Sequence, residues 1–219
     1  HRGGSSPVAT GGIESGFSGS GARIISSKQD LRRELRLRRR ALTPAEQRRH
    51  ALSLAAHAAG RHWFRAARRI ALYRAADGEI DPAPLLRLAL RQGKAVFLPR
   101  LDPDGQMRFA RYKPGDRLVP NRYDILQPRF SARTAKADEL DIVFVPLVGF
   151  TRAGQRLGMG GGYYDRALAD ARRARRVGLA HSCQQVDSLP TDPWDIAMTA
   201  TMTEKGTVWP PSRSLNFLV

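Results

Sequence analysis

Residues 156–168, RLGMGGGYYDRAL, hold the residues of this sequence best suited to chemistry. Four glycines fall within residues 158–162, called the glycine segment below, and only Met159 separates them. Glycine allows backbone N–H groups to come close to a ligand, and consecutive N–H groups ahead of a helix can hold an anion. Arg156 adds a positive charge, Asp165 offers a carboxylate to Mg²⁺, and the two tyrosines offer flat faces to a planar ring. These residue types predict a phosphate or nucleotide site.

The same residues also allow a purely structural interpretation. Glycine-rich turns are common, the tyrosines could be core residues, and Asp165 could cap a helix. The segment lacks the G-K-[ST] ending of the Walker pattern and does not keep the spacing of the dinucleotide fingerprint. Taken alone, this stretch leaves both a phosphate site and a flexible turn open.

A strand before the glycine segment and a helix after it would fix the glycines in space. Residues 141–150, DIVFVPLVGF, are continuously apolar, as expected of a strand covered on both faces. Strand-like and helix-like segments alternate through most of the chain, from RIALYRA at 69–75 to RVGLAH at 176–181. This alternation predicts an α/β fold, a three-layer α/β/α sandwich with a mostly parallel central sheet. Ligands of such sheets bind beyond the C-terminal ends of strands, where the glycine segment would lie.

Two arginine-rich helices are predicted near the N-terminus. Ser27 is a suitable N-cap for the first helix, and Thr43 with Glu46 forms a capping box at the start of the second. The arginines are expected on a solvated face. The apolar side of the first helix is expected to carry its leucines, Leu31, Leu35, Leu37 and Leu42.

The composition limits the class of protein. The chain has 219 residues and a formal net charge of +17 at pH 7, and 42% of its residues are apolar, enough to build a core. No apolar run approaches the ~20 residues that a membrane-spanning helix needs. The single cysteine, Cys183, excludes an intramolecular disulfide and fits a reducing cytoplasm. The charge keeps a nucleic-acid-binding module open as an alternative, although no RNP-type motif supports it.

The N-terminal residues differ in composition from the remainder. Residues 1–23 are rich in glycine and serine and lack apolar periodicity, so we interpret them as a disordered leader or an expression remnant. They also lack the apolar stretch of a signal peptide. Residues 24–219 are expected to form one domain, and we expect a cytoplasmic monomer that does not associate with membranes.

Several segments together resemble one enzyme family. QRLGMGGGYYDRAL, preceded by DIVFVPLVGF, resembles the signature of the 5-formyltetrahydrofolate cyclo-ligases, also called 5,10-methenyltetrahydrofolate synthetases. Further segments are similar to that family in the same order, over about residues 28–210: KQDLRRELRLRRRALTPAEQ, DGEID, RQGKAVFLPRL and GLAHSCQQVDSLPTDPWDI.

The resemblance implies a defined reaction. Family members convert 5-formyltetrahydrofolate into 5,10-methenyltetrahydrofolate with ATP and Mg²⁺, and they release ADP and phosphate. Phosphorylation of the formyl oxygen would create a leaving group, and N10 of the folate would then close the ring. Because N10 is already tethered beside the formyl carbon, proximity supplies much of the acceleration. Another ATP-dependent kinase or ligase acting on a small molecule remains an alternative.

The resemblance also implies roles for single residues. Lys28 and Arg32, four residues apart on one helix face, match family residues that bind ATP. The ATP-binding set implied is Lys28, Arg32, Arg156, Leu157, Gly158, Met159, Gly160, Gly161, Gly162, Tyr163 and Tyr164. Catalytic roles fall to Arg156 and Tyr163. Mg²⁺ would be held by Asp165 and Asp195. The folate would be bound by Glu79, Tyr123, Tyr163 and Tyr164.

The charged residues of this set also have structural interpretations. Lys28 and Arg32 could belong to a basic solvated helix face, and the sequence alone would favour that. Asp195 could be a turn or capping residue. Glu79 could be a helix-start residue beside Asp81.

Overall fold

The computed structural model describes residues 27–211, so the leader predicted for residues 1–23 lies outside the described part. The helices are α1 (Lys28–Arg40), α2 (Pro44–Ala59), α3 (His62–Ala66), α4 (Ala83–Arg91) and α5 (Tyr163–Leu168), with 3₁₀ turns η1 (Ala137–Glu139) and η2 (Ser182–Gln184). The strands are β1 (Arg69–Ala71), β2 (Ala95–Leu101), β3 (Met107–Tyr112), β4 (Leu118–Pro120), β5 (Leu126–Pro128), β6 (Thr134–Ala135), β7 (Ile142–Pro146), β8 (Gly149–Phe150), β9 (Arg156–Leu157), β10 (Arg175–Leu179), β11 (Ala200–Thr203) and β12 (Gly206–Val208).

An eight-stranded sheet forms the centre of the fold, in the order β12-β11-β10-β7-β1-β2-β3-β6. Its central pairs are parallel, and β12, β3 and β6 pair antiparallel towards the edges. Apolar side chains of α2, α3 and α4 cover one face, and those of α5 and the residues after it cover the other. The structure confirms the predicted three-layer α/β/α sandwich with a mostly parallel sheet.

The strand predicted before the glycine segment lies at the centre of this sheet. Strand β7 pairs in parallel with β1 on one side and β10 on the other, and its first four residues are buried. The apolar run then continues into β8, which pairs antiparallel with β9. This small hairpin ends directly before Gly158, so the glycine segment is held between β9 and the start of α5.

The predicted helix starts are confirmed. The Ser27 hydroxyl accepts a hydrogen bond from the Asp30 N–H at 3.2 Å, and Thr43 forms the reciprocal capping box with Glu46. Helix α5, predicted after the glycine segment, has six residues and ends at Leu168.

The prediction for the apolar side of α1 was wrong at Leu37 and at Leu42, which lies beyond the helix end at Arg40. The Leu37 side chain is 61% exposed, whereas Leu35 and Arg39 are fully buried. Positions four residues apart share a helix face, and Leu37 lies on the opposite side from Leu35. An arginine thus occupies a core position because Asp77, distant in sequence, pairs with it.

Within residues 27–211, no helix combines the length and the apolar character that crossing a bilayer requires.

Candidate active site

The glycine segment adopts a backbone that only glycine tolerates well. Gly160 has φ of +103° and Gly162 has φ of +64°, both in the left-handed region. A Cβ at Gly161 would lie 2.7 Å from the Tyr163 ring. Side chains here would therefore strain the backbone or collide with the first residue of α5.

Helix α1 brings its N-terminal half against the glycine segment. Arg32 Nε donates to the Gly158 carbonyl oxygen at 2.8 Å. The Arg32 guanidinium carbon lies 3.4 Å from the point where a Cβ of Gly160 would stand. The structure thus brings together two predicted ATP-binding elements that are separated by more than 120 residues in the sequence.

Lys28, one turn earlier on α1, contacts two carboxylates of residues 192–196, called the aspartate segment below. Its Nζ donates to Asp192 Oδ2 at 2.6 Å and to Asp195 Oδ2 at 2.7 Å. Burial disfavours the charge on Lys28, but the hydrogen bonds to both aspartates outweigh it and raise the pKa of the ammonium group. Burial alone would raise the pKa of Asp195, but its hydrogen bonds with Lys28 and with the Asp192 N–H lower it.

Arg156 and Asp165 form a second ion pair at the same place. Both side chains are largely buried, with 4% and 16% exposed. Asp165 Oδ1 also accepts from the Ile196 N–H at 3.0 Å, so it contacts the residue directly after Asp195. The buried Arg156 Nε has no hydrogen-bond partner among the described residues. A buried donor without a partner is costly, so an anionic acceptor at Arg156 would offset that cost.

Donors and carboxylates of this kind match the chemistry of a metal-bound nucleotide. Asp165 and Asp195 supply the oxygen ligands that Mg²⁺ prefers. Lys28, Arg32 and Arg156 supply cations beside backbone N–H groups, which suits phosphate oxygens. The residues present therefore fit both groups.

Tyr163, at the start of α5, is held by its hydroxyl group. The hydroxyl oxygens of Tyr163 and Tyr123 lie 2.8 Å apart, and Arg122 Nη2 donates to the Tyr163 oxygen at 2.8 Å. The hydrogen bond from Tyr123 and the Arg122 charge lower the pKa of Tyr163. The neighbouring Tyr164 instead packs against the apolar layer beneath α5, and burial followed by the nearby Glu79 charge raises its pKa.

Glu79 lies in a groove formed by residues after β1 and residues of α2 and α4. The groove has a volume of about 390 Å³, in the range of small-molecule pockets, and is lined among others by Gln47, Tyr73, Glu79 and Leu86. Glu79 Oε2 accepts from the Ala76 N–H at 3.1 Å, and burial raises the pKa of the carboxyl group.

The sequence did not single out several residues that the structure adds. Asp192 shares Lys28 with Asp195, and its position in the segment TDPWDI was the available signal. Arg122, next to Tyr123, contacts Tyr163. Trp194, directly before Asp195, leaves 67% of its surface exposed at the edge of the cluster.

Comparison with known proteins identifies the family of this chain. The sequence model of the 5-formyltetrahydrofolate cyclo-ligase family matches residues 24–204. The 5-formyltetrahydrofolate cyclo-ligase of Escherichia coli strain K12 is 40% identical over 174 residues, which are 77% of this chain and 96% of that protein. The Haemophilus influenzae protein of the same name is 40% identical over 176 residues, covering 78% and 94% of the two chains.

A solved structure agrees with these relatives. The NMR structure of Aquifex aeolicus 5,10-methenyltetrahydrofolate synthetase superposes with a TM-score of 0.77 at 31% identity, covering 86% of this chain and 95% of that one. Sequence and fold therefore give the same answer, and the chain belongs to the 5-formyltetrahydrofolate cyclo-ligase family.

Proposed function

We propose that the chain converts 5-formyltetrahydrofolate into 5,10-methenyltetrahydrofolate in a reaction that uses ATP and Mg²⁺. One observation carries this proposal beyond family membership. The start of α1, the glycine segment and the aspartate segment converge on a single network of cations and carboxylates. Such a network suits a metal-bound triphosphate, and phosphoryl transfer depends mainly on positioning and charge neutralisation.

The glycine segment and three cations bind the triphosphate in this proposal. Backbone N–H groups between Leu157 and Tyr163 face the phosphates, and Lys28 and Arg32 approach from α1. Arg156 neutralises the charge that develops on the transferred phosphoryl group, and its unpartnered Nε supports that role.

Asp165 and Asp195 hold the metal ion in this proposal. Mg²⁺ bound there would neutralise phosphate charge and help to fix the orientation of the triphosphate. Both carboxylates pair with cations, Asp165 with Arg156 and Asp195 with Lys28. When the carboxylates bind the metal, Lys28 and Arg156 would pair with phosphate oxygens instead. No buried charge would then be left without a partner.

Glu79 and the tyrosines bind the folate. A carboxylate suits the N–H-rich edge of the pterin through paired hydrogen bonds. Tyr163, fixed by Tyr123 and Arg122, would orient the formyl group towards the nucleotide.

The reaction then balances as follows. The formyl oxygen takes the terminal phosphoryl group and ADP leaves. N10 forms a bond to the formyl carbon and loses its proton, the carbon–oxygen bond breaks, and phosphate leaves with the electron pair. The bound conformation holds N10 beside the carbon throughout, which removes the entropy cost of an encounter.

An absorbance assay tests the proposal. The protein is incubated with 5-formyltetrahydrofolate and Mg-ATP, and the near-ultraviolet absorbance of the methenyl product is followed alongside phosphate release. We expect equal amounts of both products, and none without ATP. A folded protein that makes no methenyl product would contradict the proposal, and a stable phosphorylated product would indicate a kinase instead.

A further inference from the structure

Arg39, near the C-terminal end of α1, fixes a loop from inside the protein. Its side chain is fully buried. Nε donates to the Asp77 carbonyl oxygen at 2.8 Å, and Nη2 donates to Asp77 Oδ2 at 2.8 Å. Nη1 donates to the Leu147 carbonyl oxygen at 3.2 Å, just beyond β7. One guanidinium thus ties α1, the central sheet region and residues 76–79, called the Asp77 loop below.

Two further arginines of α1 contact the same carboxylate. Arg36 Nε donates to Asp77 Oδ2 at 2.6 Å, and Arg40 contacts Oδ1. Three cations on one partly buried carboxylate exceed what charge balance requires, and they come from a single helix. Because each guanidinium group donates its hydrogen bonds in a fixed planar geometry, the arginines restrict both the position and the rotation of the Asp77 carboxylate.

The backbone of the Asp77 loop is constrained as tightly as its side chain. Asp77 has φ of +53° and Gly78 has φ of +73°, so two consecutive residues are left-handed. A Cβ at Gly78 would lie 3.5 Å from both the Arg39 carbonyl oxygen and the Arg40 Cα. A left-handed aspartate persists only where its surroundings hold it, and here α1 does so.

Glu79 is the residue of the Asp77 loop whose position in the groove depends on these contacts. The Glu79 N–H donates to the Ala76 carbonyl oxygen at 3.0 Å, and the Ala76 N–H returns a bond to Glu79 Oε2. On the far side, the buried Tyr73 hydroxyl donates to the Ile80 carbonyl oxygen at 2.8 Å. These bonds restrict Glu79, and Asp77 lies inside the turn that they close, so the positions of the two residues are coupled.

We propose that Asp77, clamped by Arg36, Arg39 and Arg40, is a positioning residue that sets the orientation of Glu79 towards the reduced folate. Along the axis of the same helix, Lys28 lies about 16 Å and Arg32 about 10 Å from Arg39. Helix α1 therefore sets the distance between the folate carboxylate and the nucleotide cations. The inference rests on the proposed function, because it assigns Glu79 to the folate.

A double-mutant cycle tests whether Asp77 acts through Glu79. Asp77→Asn keeps the shape and the left-handed preference but removes the charge that three arginines hold. We expect about a 10²-fold loss in kcat/KM for the folate, since misplacement of about 1 Å costs that much, with an unchanged KM for ATP. In the Glu79→Gln background, Asp77→Asn should cost nothing further. Arg38→Gln, which changes a residue paired with Glu34 on the exposed side of α1, should match the wild type.

The outcomes separate this inference from the proposed function. An inactive wild-type protein would remove the proposed function. An active wild type in which the Asp77→Asn and Glu79→Gln losses multiply, or in which KM for ATP rises equally, would overturn the positioning role. Thermal melts establish that each variant is folded at the assay temperature. If Asp77→Asn does not fold, Arg36→Gln replaces it, because that variant leaves Arg39 and Arg40 on Asp77 and should give the same coupling at smaller size.

Discussion

The two ends of α1 use arginine, lysine and aspartate for opposite purposes. At the N-terminal end, Lys28 retains 22% side-chain exposure, and its partners Asp195 and Asp192 retain 20% and 42%. At the C-terminal end, Arg39 is fully buried and Asp77 retains 17%. The Lys28 pairs thus remain partly open to water, whereas the Arg39 guanidinium is enclosed by the protein.

The physical difference lies in the cost of separating the charges. An exposed pair contributes about 0–1 kcal/mol, so its members can change partners at little cost. Breaking a buried pair leaves a charge without solvation and costs about 3–5 kcal/mol. We therefore expect the N-terminal end to govern activity and the C-terminal end to govern stability as well as activity.

Arg39→Ala should produce the largest effect on stability. It removes a buried guanidinium and leaves Asp77 with only its two more exposed arginines. We expect the free energy of unfolding to fall by about 3–5 kcal/mol, measured by urea denaturation followed by circular dichroism. Arg38→Ala, one position away on the exposed side, should stay within about 0.5 kcal/mol of wild type. Equal losses of unfolding free energy in Arg39→Ala and Arg38→Ala would contradict the expected difference between the buried and the exposed side of α1.

Lys28→Ala should show the opposite pattern. We expect kcat/KM for ATP to fall about 10²- to 10³-fold, because a preorganised phosphate cation is lost. The free energy of unfolding should change by less than about 1 kcal/mol. The matched control is Arg33→Ala, since Arg33 is 75% exposed and pairs with Asp30 on the same helix. A large loss of stability in Lys28→Ala would show that the N-terminal pairs are structural.

The two aspartates that share Lys28 sharpen the comparison further. Asp195 also accepts from the Asp192 N–H at 2.8 Å and is less exposed, so its carboxylate is the better oriented of the two. We expect Asp195→Asn to weaken Mg-ATP binding more than Asp192→Asn does, by a factor on the order of tenfold, equal to 1.4 kcal/mol. Calorimetric titration with Mg²⁺ and a non-hydrolysable ATP analogue measures both. A larger loss of affinity in Asp192→Asn would indicate that Asp192, rather than Asp195, is the metal ligand.

Glu79→Gln should give the smallest change in stability, and a favourable one. Burial raises the pKa of Glu79, so the folded state binds its proton more tightly than the unfolded state. Ionisation therefore destabilises the fold as pH rises through the folded-state pKa, and the variant should melt higher than wild type at pH 8. Near pH 4, below the raised pKa, the difference should shrink towards zero. Melting curves across pH measure this, while the variant should lose activity throughout.

Local signals in the sequence predicted much of this molecule. The caps at Ser27 and Thr43 act within three residues, and the glycine segment follows a strand whose unbroken apolar run identified it as central. Alternating elements predicted the layers. The antiparallel edge strand β6 has only two residues and pairs with β3, and pairing of this kind depends on distant partners more than on pattern.

Long-range pairing was not predictable in the same way. Periodicity assigns an arginine to the solvent, and only the fold shows that Asp77 meets Arg39 across 38 positions of sequence. The same applies to Lys28, whose partners lie more than 160 positions away. The family resemblance supplied candidates such as Asp195, but it did not supply the cation with which each carboxylate pairs.

The exposed Trp194 gives the protein a built-in optical reporter. Trp194 directly precedes Asp195 in the sequence, whereas Trp63 and Trp209 contact each other edge to face with ring centres 6.4 Å apart. Indole emission responds to nearby charge and water, so the exchange of partners at Asp195 should change the fluorescence of one tryptophan and leave the other two unaffected. Rapid mixing could then time nucleotide arrival separately from ring closure, without any attached dye.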